Sequence, residues 1–248
     1  STVCFKVTQN RTIGFSTGSL CGSDFGAALE ALKNTTANAV ELSALREHEF
    51  RPLLSSLPEL CLGRYSHVSL HAPSLLKQYS EKDIVRMIRA SVPREYAVIV
   101  HADVIRHAKI WRPLASQLCI ENMDKRKDTG RTVKELRTLL VELPAATLCV
   151  DLAHARQVDP SLSEAVGFLL EFRSRIRQVH ISELNTSSKH EPLSFAGVAA
   201  LQSIRDLIPF EAGVILEFAA EPHALESHLG LVRNILDRAQ PTLRLEAG

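Results

Sequence analysis

Short runs of β-branched and other apolar residues recur along the whole chain, separated by segments with helical spacing of apolar residues. Eight such runs begin roughly 20 to 35 residues apart: Thr12–Ser16, Ala39–Ser43, His67–His71, Ala97–His101, Leu118–Glu121, Thr147–Asp151, Gln178–Ile181 and Gly213–Glu217. Strands that alternate with helices are typical of parallel βαβ units. This alternation is the feature of the sequence that most restricts its possible folds.

Helical signals lie between these runs. Apolar periodicity predicts helices over Asp24–Asn34, Ser163–Arg173, Gly197–Leu207 and Ala224–Ala239. Thr132 and Glu135 have the spacing of a capping box, which predicts a helix that begins there and runs toward Glu142. A shorter helix is expected near Ala108–Ser116, where Pro113 interrupts the pattern.

Eight βα units in 248 residues match the size of a (β/α)8 TIM barrel, so we predict an α/β fold with one domain over residues 1–248. An open doubly wound sheet is the alternative. Such sheets usually carry GxGxxG after the first strand, and Gly14–Gly18 does not match it. The segment Pro241–Gly248 is expected to be a loose tail.

Charge and cysteine content narrow the class of protein further. With 29 Lys+Arg and 28 Asp+Glu, the net charge of +1 indicates no general attraction to nucleic acid or anionic membranes. No apolar run approaches the roughly 20 residues of a membrane span, and the first residues do not resemble a signal peptide. Five cysteines without CxxC spacing argue against a disulfide framework. We therefore expect a cytoplasmic protein without a membrane partner.

Residue types that bind metals stand at the C-terminal ends of six successive predicted strands. They are His71, His101, Glu121, Asp151 with His154 three residues later, His180 and Glu217. In a barrel these ends converge on one mouth, where active sites form. Carboxylates and imidazoles that face one another there are costly to bury unless a cation joins them. The pattern therefore predicts a divalent-metal site.

Strand parity predicts what lies beneath this site, because residues two apart face the same way. If the strand-end residues point inward, so do Ile99, Cys119, Cys149, Gln178 and Ile215. The cysteines are thus interpreted as core residues. Glu41 ends the second strand, and we favour a structural salt bridge over a substrate contact. The remaining histidines are interpreted as incidental: His48, His67, His107, His223 and His228.

Several motifs carry a resemblance to a known superfamily. They are HAP at 71–73, IEN at 120–122, DLAHA at 151–155, HISE at 180–183 followed by HEPL at 190–193, and LEF at 216–218. With these motifs the chain resembles the xylose isomerase-like TIM barrels from the first strand to the eighth. That superfamily includes sugar isomerases and epimerases, and also the endonuclease IV type of apurinic-site nuclease (AP endonuclease family 2).

The resemblance implies roles for individual residues. The shared metal ligands of the superfamily map onto Glu121, Asp151, His180 and Glu217. His154 matches a histidine that ligates or supports the metal. His71, His101 and His190 match the histidines that let the nuclease branch hold three zinc ions, although His71 and His101 also recur in the small-molecule branch. These four histidines are expected to bind metal or substrate.

Neither branch fits cleanly. The nuclease pattern Asp-x-His reads Ser188-Lys189-His190 here, which removes one ligand of a third zinc. The superfamily's Gly-rich stretch reads Ser194–Gly197. The epimerase branch often carries an arginine about six residues after the strand-seven histidine, and Thr186 stands there instead.

The favoured interpretation is an isomerase or epimerase that acts on a small sugar-like substrate. One Zn, Mn, Mg or Co ion would bind the substrate carbonyl. Glu121 and Glu217, on opposite sides of the mouth, would act as the base and acid that move the proton α to that carbonyl.

Two other interpretations stay open. The first is a nuclease with two or three zinc ions acting on abasic DNA; it is less favoured because the loops are short and carry few basic or aromatic residues. The second is a barrel that binds a metal or ligand without turnover. A homodimer is an open alternative for the oligomeric state, since barrels of this size often pair.

Overall fold

The computed structural model describes residues 11–237, and in that part eight parallel strands close into one barrel. Ten strands occur: β1 (Ile13–Ser16), β2 (Ala39–Ser43), β3 (His67–His71), β4 (Ala97–His101), β5 (Leu118–Glu121), β6 (Thr147–Asp151), β7 (Ile176–Ile181), β8 (Glu183–Leu184), β9 (His190–Glu191) and β10 (Gly213–Leu216). The barrel order is β1-β10-β7-β6-β5-β4-β3-β2, and β8 and β9 form a separate antiparallel hairpin. The α/β class and the (β/α)8 TIM-barrel fold are confirmed.

Helices follow the barrel strands along the chain. They are α1 (Phe25–Leu32), α2 (Glu47–Ser56), α3 (Glu81–Ser91), α4 (Ala108–Trp111), α5 (Val133–Glu142), α6 (Leu152–Val158), α7 (Ser163–Glu171), α8 (Phe195–Ile204) and α9 (Leu225–Leu236). The predicted capping box opens α5, because Thr132 Oγ1 accepts from the Glu135 amide and the Glu135 carboxylate accepts from the Thr132 amide. Pro113 lies beyond α4, in a 3-10 helix over Arg112–Gln117.

The structure shifts some predicted boundaries and adds elements. Helix α8 begins at Phe195 rather than Gly197, because Ser194 Oγ accepts from the Gly197 amide at 3.2 Å as the N-cap. Strand β10 ends at Leu216, so Glu217 follows the strand instead of ending it. Neither α6 nor the β8–β9 hairpin was expected from the sequence. Helix α6 starts directly after β6, because Asp151 is both the last strand residue and the helix N-cap.

The barrel interior has a small apolar layer below its mouth. Ala97, Ile99, Cys119 and Cys149 form a buried cluster separate from the main core between barrel and helices. Burial raises the pKa of Cys119 to about 12 and that of Cys149 well above its ordinary value, so both are neutral thiols. Cys119 and Cys149 thus lie in the core, where strand parity predicted them.

Within residues 11–237, none of the helices has the length and apolar content that a membrane span requires. The predicted tail, Pro241–Gly248, lies outside the described residues.

Candidate functional site

Four acidic and imidazole side chains meet at the C-terminal mouth of the barrel. Ligand atoms of Glu121, Asp151, His180 and Glu217, here called the quartet, all lie within 4.8 Å of one another. None of the four residues is more than 6% exposed. They come from β5, β6, β7 and the residue after β10, which are neighbours in the barrel order. The structure therefore brings the four predicted ligands into one buried cluster.

Three atoms of the quartet face one another without forming hydrogen bonds. His180 Nδ1 lies 3.0 Å from Glu217 Oε2 and 3.7 Å from Asp151 Oδ2, yet none of these three atoms has a hydrogen-bond partner among the described residues. Leaving a buried polar atom unpaired costs about 1–3 kcal/mol, so such atoms are rare. Close polar atoms that do not bond one another are the arrangement expected of ligands to a shared cation.

Asp151 is held so that only one of its oxygens is used by the fold. Oδ1 accepts from the His154 amide at 2.6 Å, which caps α6. The Asn122 side chain bonds both the amide and the carbonyl of Asp151, at 2.7 and 2.9 Å. These three hydrogen bonds fix the carboxylate and leave Oδ2 to the quartet.

His180 is also held from the side away from the quartet. Its Nε2 lies 2.9 Å from Glu41 Oε2. Because a carboxylate can only accept, Nε2 donates. Burial alone would lower the pKa of His180, but the charges around it, those of Glu41 and Glu217 among them, raise it well above the ordinary value, so Nδ1 offers a lone pair only once a cation displaces its proton. Glu41 also accepts from Gln178 Nε2 at 2.7 Å. The partners of Glu41 are thus an imidazole and an amide rather than the Lys or Arg of an ordinary salt bridge.

His71 and His101 approach the same oxygen of Glu121, at 3.0 and 3.7 Å. Burial alone would lower the pKa of His71, but its hydrogen bond to Glu121 and the carboxylate of Glu41 outweigh burial and raise the pKa to about 9. Burial dominates at His101 and lowers its pKa to about 4, helped by repulsion from His71. Glu121 therefore pairs with a protonated His71, and His101 is neutral.

His154 and His190 stand on the other side of the quartet, with ring centroids 5.4 Å apart. His154 Nδ1 donates to the Asn122 carbonyl at 2.9 Å and lies 3.3 Å from Glu121 Oε1. His190, on β9, is half-buried; its Nδ1 lies 2.7 Å from Ser182 Oγ and its Nε2 4.0 Å from Glu217 Oε2. The hairpin thus brings His190 to the edge of the cluster.

Ser188 occupies the place of the aspartate in the nuclease pattern. It is buried, and its Oγ accepts from Gln157 Nε2 at 2.8 Å. A hydroxyl already engaged in this way is a poor substitute for a carboxylate ligand. Asp151, His154 and His190 nevertheless form a group whose ligand atoms lie within 4.8 Å, as do His71, His101 and Glu121.

The two glutamates at the ends of the quartet are ionised. Burial alone would raise the pKa of Glu217, but the charges of His190 and His180 hold it well below the ordinary value. Burial likewise opposes ionisation of Glu121, but the charge of His180 and the hydrogen bond from His71 outweigh it and lower the pKa of that carboxyl. Strands β6 and β7 separate them in the barrel, so they flank the cluster rather than face each other across the full mouth.

The ligand set fits a divalent cation. Three carboxylates and one imidazole in one cluster are oxygen and nitrogen ligands that Zn²⁺, Mn²⁺ and Co²⁺ accept. Asp151 Oδ2, His180 Nδ1 and Glu217 Oε2, which have no hydrogen-bond partner among the described residues, are the atoms that such an ion would contact.

The sequence pattern does not indicate which side chains support the quartet. Asn122 lies in the IEN motif, which predicts no role for it, and strand parity places Gln178 in the inner layer without indicating a partner. His67, interpreted as incidental, lies 2.8 Å from Gln178 Oε1. The sequence does contain a signal for His67: it lies four residues before His71 on the same strand, so both side chains face the barrel interior. Asp103 also approaches His101 Nδ1, at 3.9 Å.

No family model matches the sequence, and no curated protein is significantly similar to it. Solved structures are similar in fold. Endonuclease IV from Thermus thermophilus has 17% identity and a TM-score of 0.55, with 92% of this chain and 100% of that chain covered. The apo 3-keto-D-glucoside 4-epimerase from E. coli has 13% identity and a TM-score of 0.54, with coverages of 91% and 100%.

The IolI protein with a bound zinc atom has 13% identity and a TM-score of 0.55, with 90% of this chain and 96% of that chain covered. At these identities the comparisons show the fold alone. That fold is the (β/α)8 TIM barrel that the sequence predicted.

Proposed function

We propose that the protein is a divalent-metal-dependent isomerase or epimerase that acts on a small sugar-like substrate. The observation that carries the proposal is the quartet, in which three buried ligand atoms converge without hydrogen bonds. The fold similarity to an epimerase and to the zinc-binding IolI protein supports it. Glu121, Asp151, His180 and Glu217 would hold the ion.

A bound divalent cation supplies Lewis-acid polarisation of a carbonyl, which acidifies the neighbouring C–H. The chain's own part is proton transfer. Glu121 and Glu217 are both carboxylates, the form a base needs, and they flank the cluster. One would remove the proton α to the carbonyl and become protonated. In an isomerisation this same group would return the proton at the neighbouring carbon, and in an epimerisation the other glutamate, after taking a proton from water, would deliver it to the opposite face. The half-buried His101 and His190 lie where solvent reaches the cluster and would contact the substrate, together with His71 and His154.

The first test is metal content and proton exchange. Protein loaded with Zn²⁺ or Mn²⁺ and desalted is expected to retain one ion per chain, measured by elemental analysis. It is then incubated with a panel of ketoses and aldoses in D₂O, and deuterium at the carbon next to the carbonyl is followed by NMR. A protein that retains no ion, or that never exchanges this hydrogen, would contradict the proposal.

A second candidate is a zinc phosphodiesterase that acts on abasic DNA. The two additional groups, His71–His101–Glu121 and Asp151–His154–His190, favour it because they could hold further ions beside the quartet. The fold similarity to an endonuclease IV agrees with it. Two observations argue against the phosphodiesterase. The Ser188 hydroxyl already accepts a hydrogen bond from Gln157, and the net charge of +1 gives no general attraction to DNA.

Stoichiometry and cleavage separate the two candidates. Two or three zinc ions per chain with cleavage of a duplex that carries one abasic site would establish the phosphodiesterase. One ion without cleavage would remove it. If an ion binds and neither reaction occurs, the third interpretation, a non-catalytic metal-binding barrel, takes their place.

A further inference from the structure

Beneath the quartet, a second set of polar side chains crosses the barrel interior. Glu41 on β2, His67 on β3 and Gln178 on β7, here called the Glu41 network, are linked by hydrogen bonds to His180. Glu41 and Gln178 are fully buried, with 0% exposure, and His67 is half-buried at the start of its strand. The proton transfer proposed above uses none of the three.

The directions of these hydrogen bonds follow from the chemistry of the groups. A carboxylate only accepts, so Gln178 Nε2 at 2.7 Å and His180 Nε2 at 2.9 Å both donate to Glu41 Oε2. The two nitrogens lie 2.8 Å apart because they converge on this one oxygen. Turning the amide round would set Gln178 Oε1 against the carboxylate, which is repulsive.

The far end of the network is oriented in the same way. With its NH₂ group on Glu41, Gln178 presents Oε1 to His67 Nε2 at 2.8 Å, so His67 donates. Gly213 makes room for this contact, because a Cβ there would lie 2.5 Å from His67 Cδ2. Gly213 is also the register partner of Gln178. The backbone of β10 thus leaves open the path by which His67 reaches the centre of the barrel.

We propose that the Glu41 network positions His180 as a metal ligand and so sets the affinity of the quartet for a divalent cation. With Nε2 donating to Glu41, the ring is held with Nδ1 toward Asp151 and Glu217, 3.7 and 3.0 Å away. This inference rests on the metal-binding role proposed for the quartet. An orienting carboxylate behind a ligating histidine typically contributes about 10- to 100-fold in metal affinity.

The buried charge of Glu41 supports this role over a purely structural one. An ionised carboxylate inside a barrel is costly unless its hydrogen bonds repay the lost hydration, and Oε1 of Glu41 has no partner among the described residues. An apolar residue would pack this position with less cost. What Glu41 supplies, and an apolar residue cannot, is an acceptor for His180 Nε2.

The test measures Zn²⁺ affinity of the full chain by competition with a chromophoric chelator. Glu41→Leu is expected to weaken Zn²⁺ binding about 10- to 100-fold, and Glu41→Gln less, because an amide oxygen still accepts one hydrogen bond. The matched control is Ser69→Ala. Ser69 is fully buried and is the register partner of Glu41, but its hydroxyl has no partner among residues 11–237. The control should bind Zn²⁺ as the wild type does.

A spectroscopic readout separates positioning from general loosening of the fold. In Zn²⁺-loaded, ¹⁵N-histidine-labelled protein, the Nε2–H of His180 should give a downfield, hydrogen-bonded proton signal. Glu41→Leu should abolish that signal and Ser69→Ala should keep it. His67→Phe, which removes only the outer donor, should weaken Zn²⁺ binding by a smaller factor; it keeps the test decisive if Glu41→Leu does not fold.

The outcomes distinguish the two proposals. Wild-type protein that does not bind Zn²⁺ would overturn the metal site and this inference together. Wild-type protein that binds Zn²⁺, with affinity unchanged in the folded variants at Glu41 and His67, would overturn this inference alone and leave the proposed function intact.

Discussion

Among single residues, Glu217 is the one whose substitution most directly tests the proposed proton transfer. Its Oε2 lies 3.0 Å from His180 Nδ1 without a hydrogen bond, and the carboxyl is held in its ionised form. Glu217→Gln keeps the size of the side chain but removes the base and a charged ligand. We expect turnover of any substrate that the wild type isomerises to fall on the order of 10²- to 10⁴-fold, measured as α-hydrogen exchange in D₂O, with unchanged circular dichroism.

The control for this substitution is Glu221→Gln. Glu221 is an exposed glutamate four residues further along the chain, outside the quartet. The Glu221→Gln variant should retain the full rate of α-hydrogen exchange. Equal activity of Glu217→Gln and the wild type would refute the role assigned to Glu217.

At the scale of elements, Glu81 joins α3 to the segment that leads into α4. Its carboxylate accepts from the Arg106 and His107 amides, both at 3.1 Å, and from the Trp111 indole at 2.6 Å. Burial alone would raise the pKa of Glu81, but the hydrogen bonds from His107 and Trp111 outweigh it and lower the pKa. Glu81→Gln should therefore reduce the free energy of unfolding at pH 7 by about 1.5–3 kcal/mol.

The pH dependence of this difference has a definite sign. A carboxyl whose pKa is depressed on folding stabilises the protein above its unfolded-state pKa, about 4.3 for glutamate. That contribution is lost as the pH falls through the folded-state pKa. The difference between wild type and Glu81→Gln in urea unfolding should stay constant near neutrality and shrink in acid. The exposed Glu30→Gln serves as control and should cost little at any pH; a Glu81 effect that grows in acid would contradict the argument.

For the whole molecule, the quartet links the ends of four neighbouring barrel strands, so cation binding should stabilise the entire barrel. A ligand that binds only the folded state at 100 times its Kd adds about 2.7 kcal/mol. For a chain of this size that corresponds to a rise in Tm of roughly 5 to 10 °C. Differential scanning calorimetry with Zn²⁺ and then with excess EDTA measures it.

The matched variant for this experiment is Asp151→Asn, which removes one charged ligand but keeps an oxygen that can cap α6. It should fold and lose most of the Zn²⁺-dependent rise. A Tm of the wild type that does not respond to Zn²⁺, or an equal response in the variant, would count against the site.

Much of this architecture could be predicted from the sequence, because the signals are local. The apolar runs at 97–101 and 118–121 predicted β4 and β5 with the bounds observed, and Thr132 with Glu135 predicted the start of α5. Once the runs are arranged as a barrel, the shared direction of the parallel strands brings Glu121 and Asp151, both at strand ends, to the same mouth. Strand-end position therefore predicted the set of candidate ligands, and the resemblance to a known superfamily singled out the four members of the quartet.

Other features depend on contacts between distant parts of the chain. The pairing of His180 with Glu41 spans 139 residues, and that of His67 with Gln178 spans 111. Neither leaves a periodicity in the sequence, because each depends on side chains from strands on different sides of the barrel reaching its centre. Only these contacts in the tertiary structure determine which nitrogen of His180 faces the quartet.

The sequence by itself thus determined the strands and the metal-binding residue types at or near their ends, since periodicity and strand-end position are local properties. The choice of four of these residues as the shared ligands came from the resemblance to a known superfamily. The tertiary structure decided that three quartet atoms lack hydrogen-bond partners within residues 11–237, that Ser188 is engaged by Gln157, and that a buried carboxylate stands behind His180. These are properties of three-dimensional geometry, because a hydrogen bond depends on distance and direction between atoms that the chain brings together only by folding.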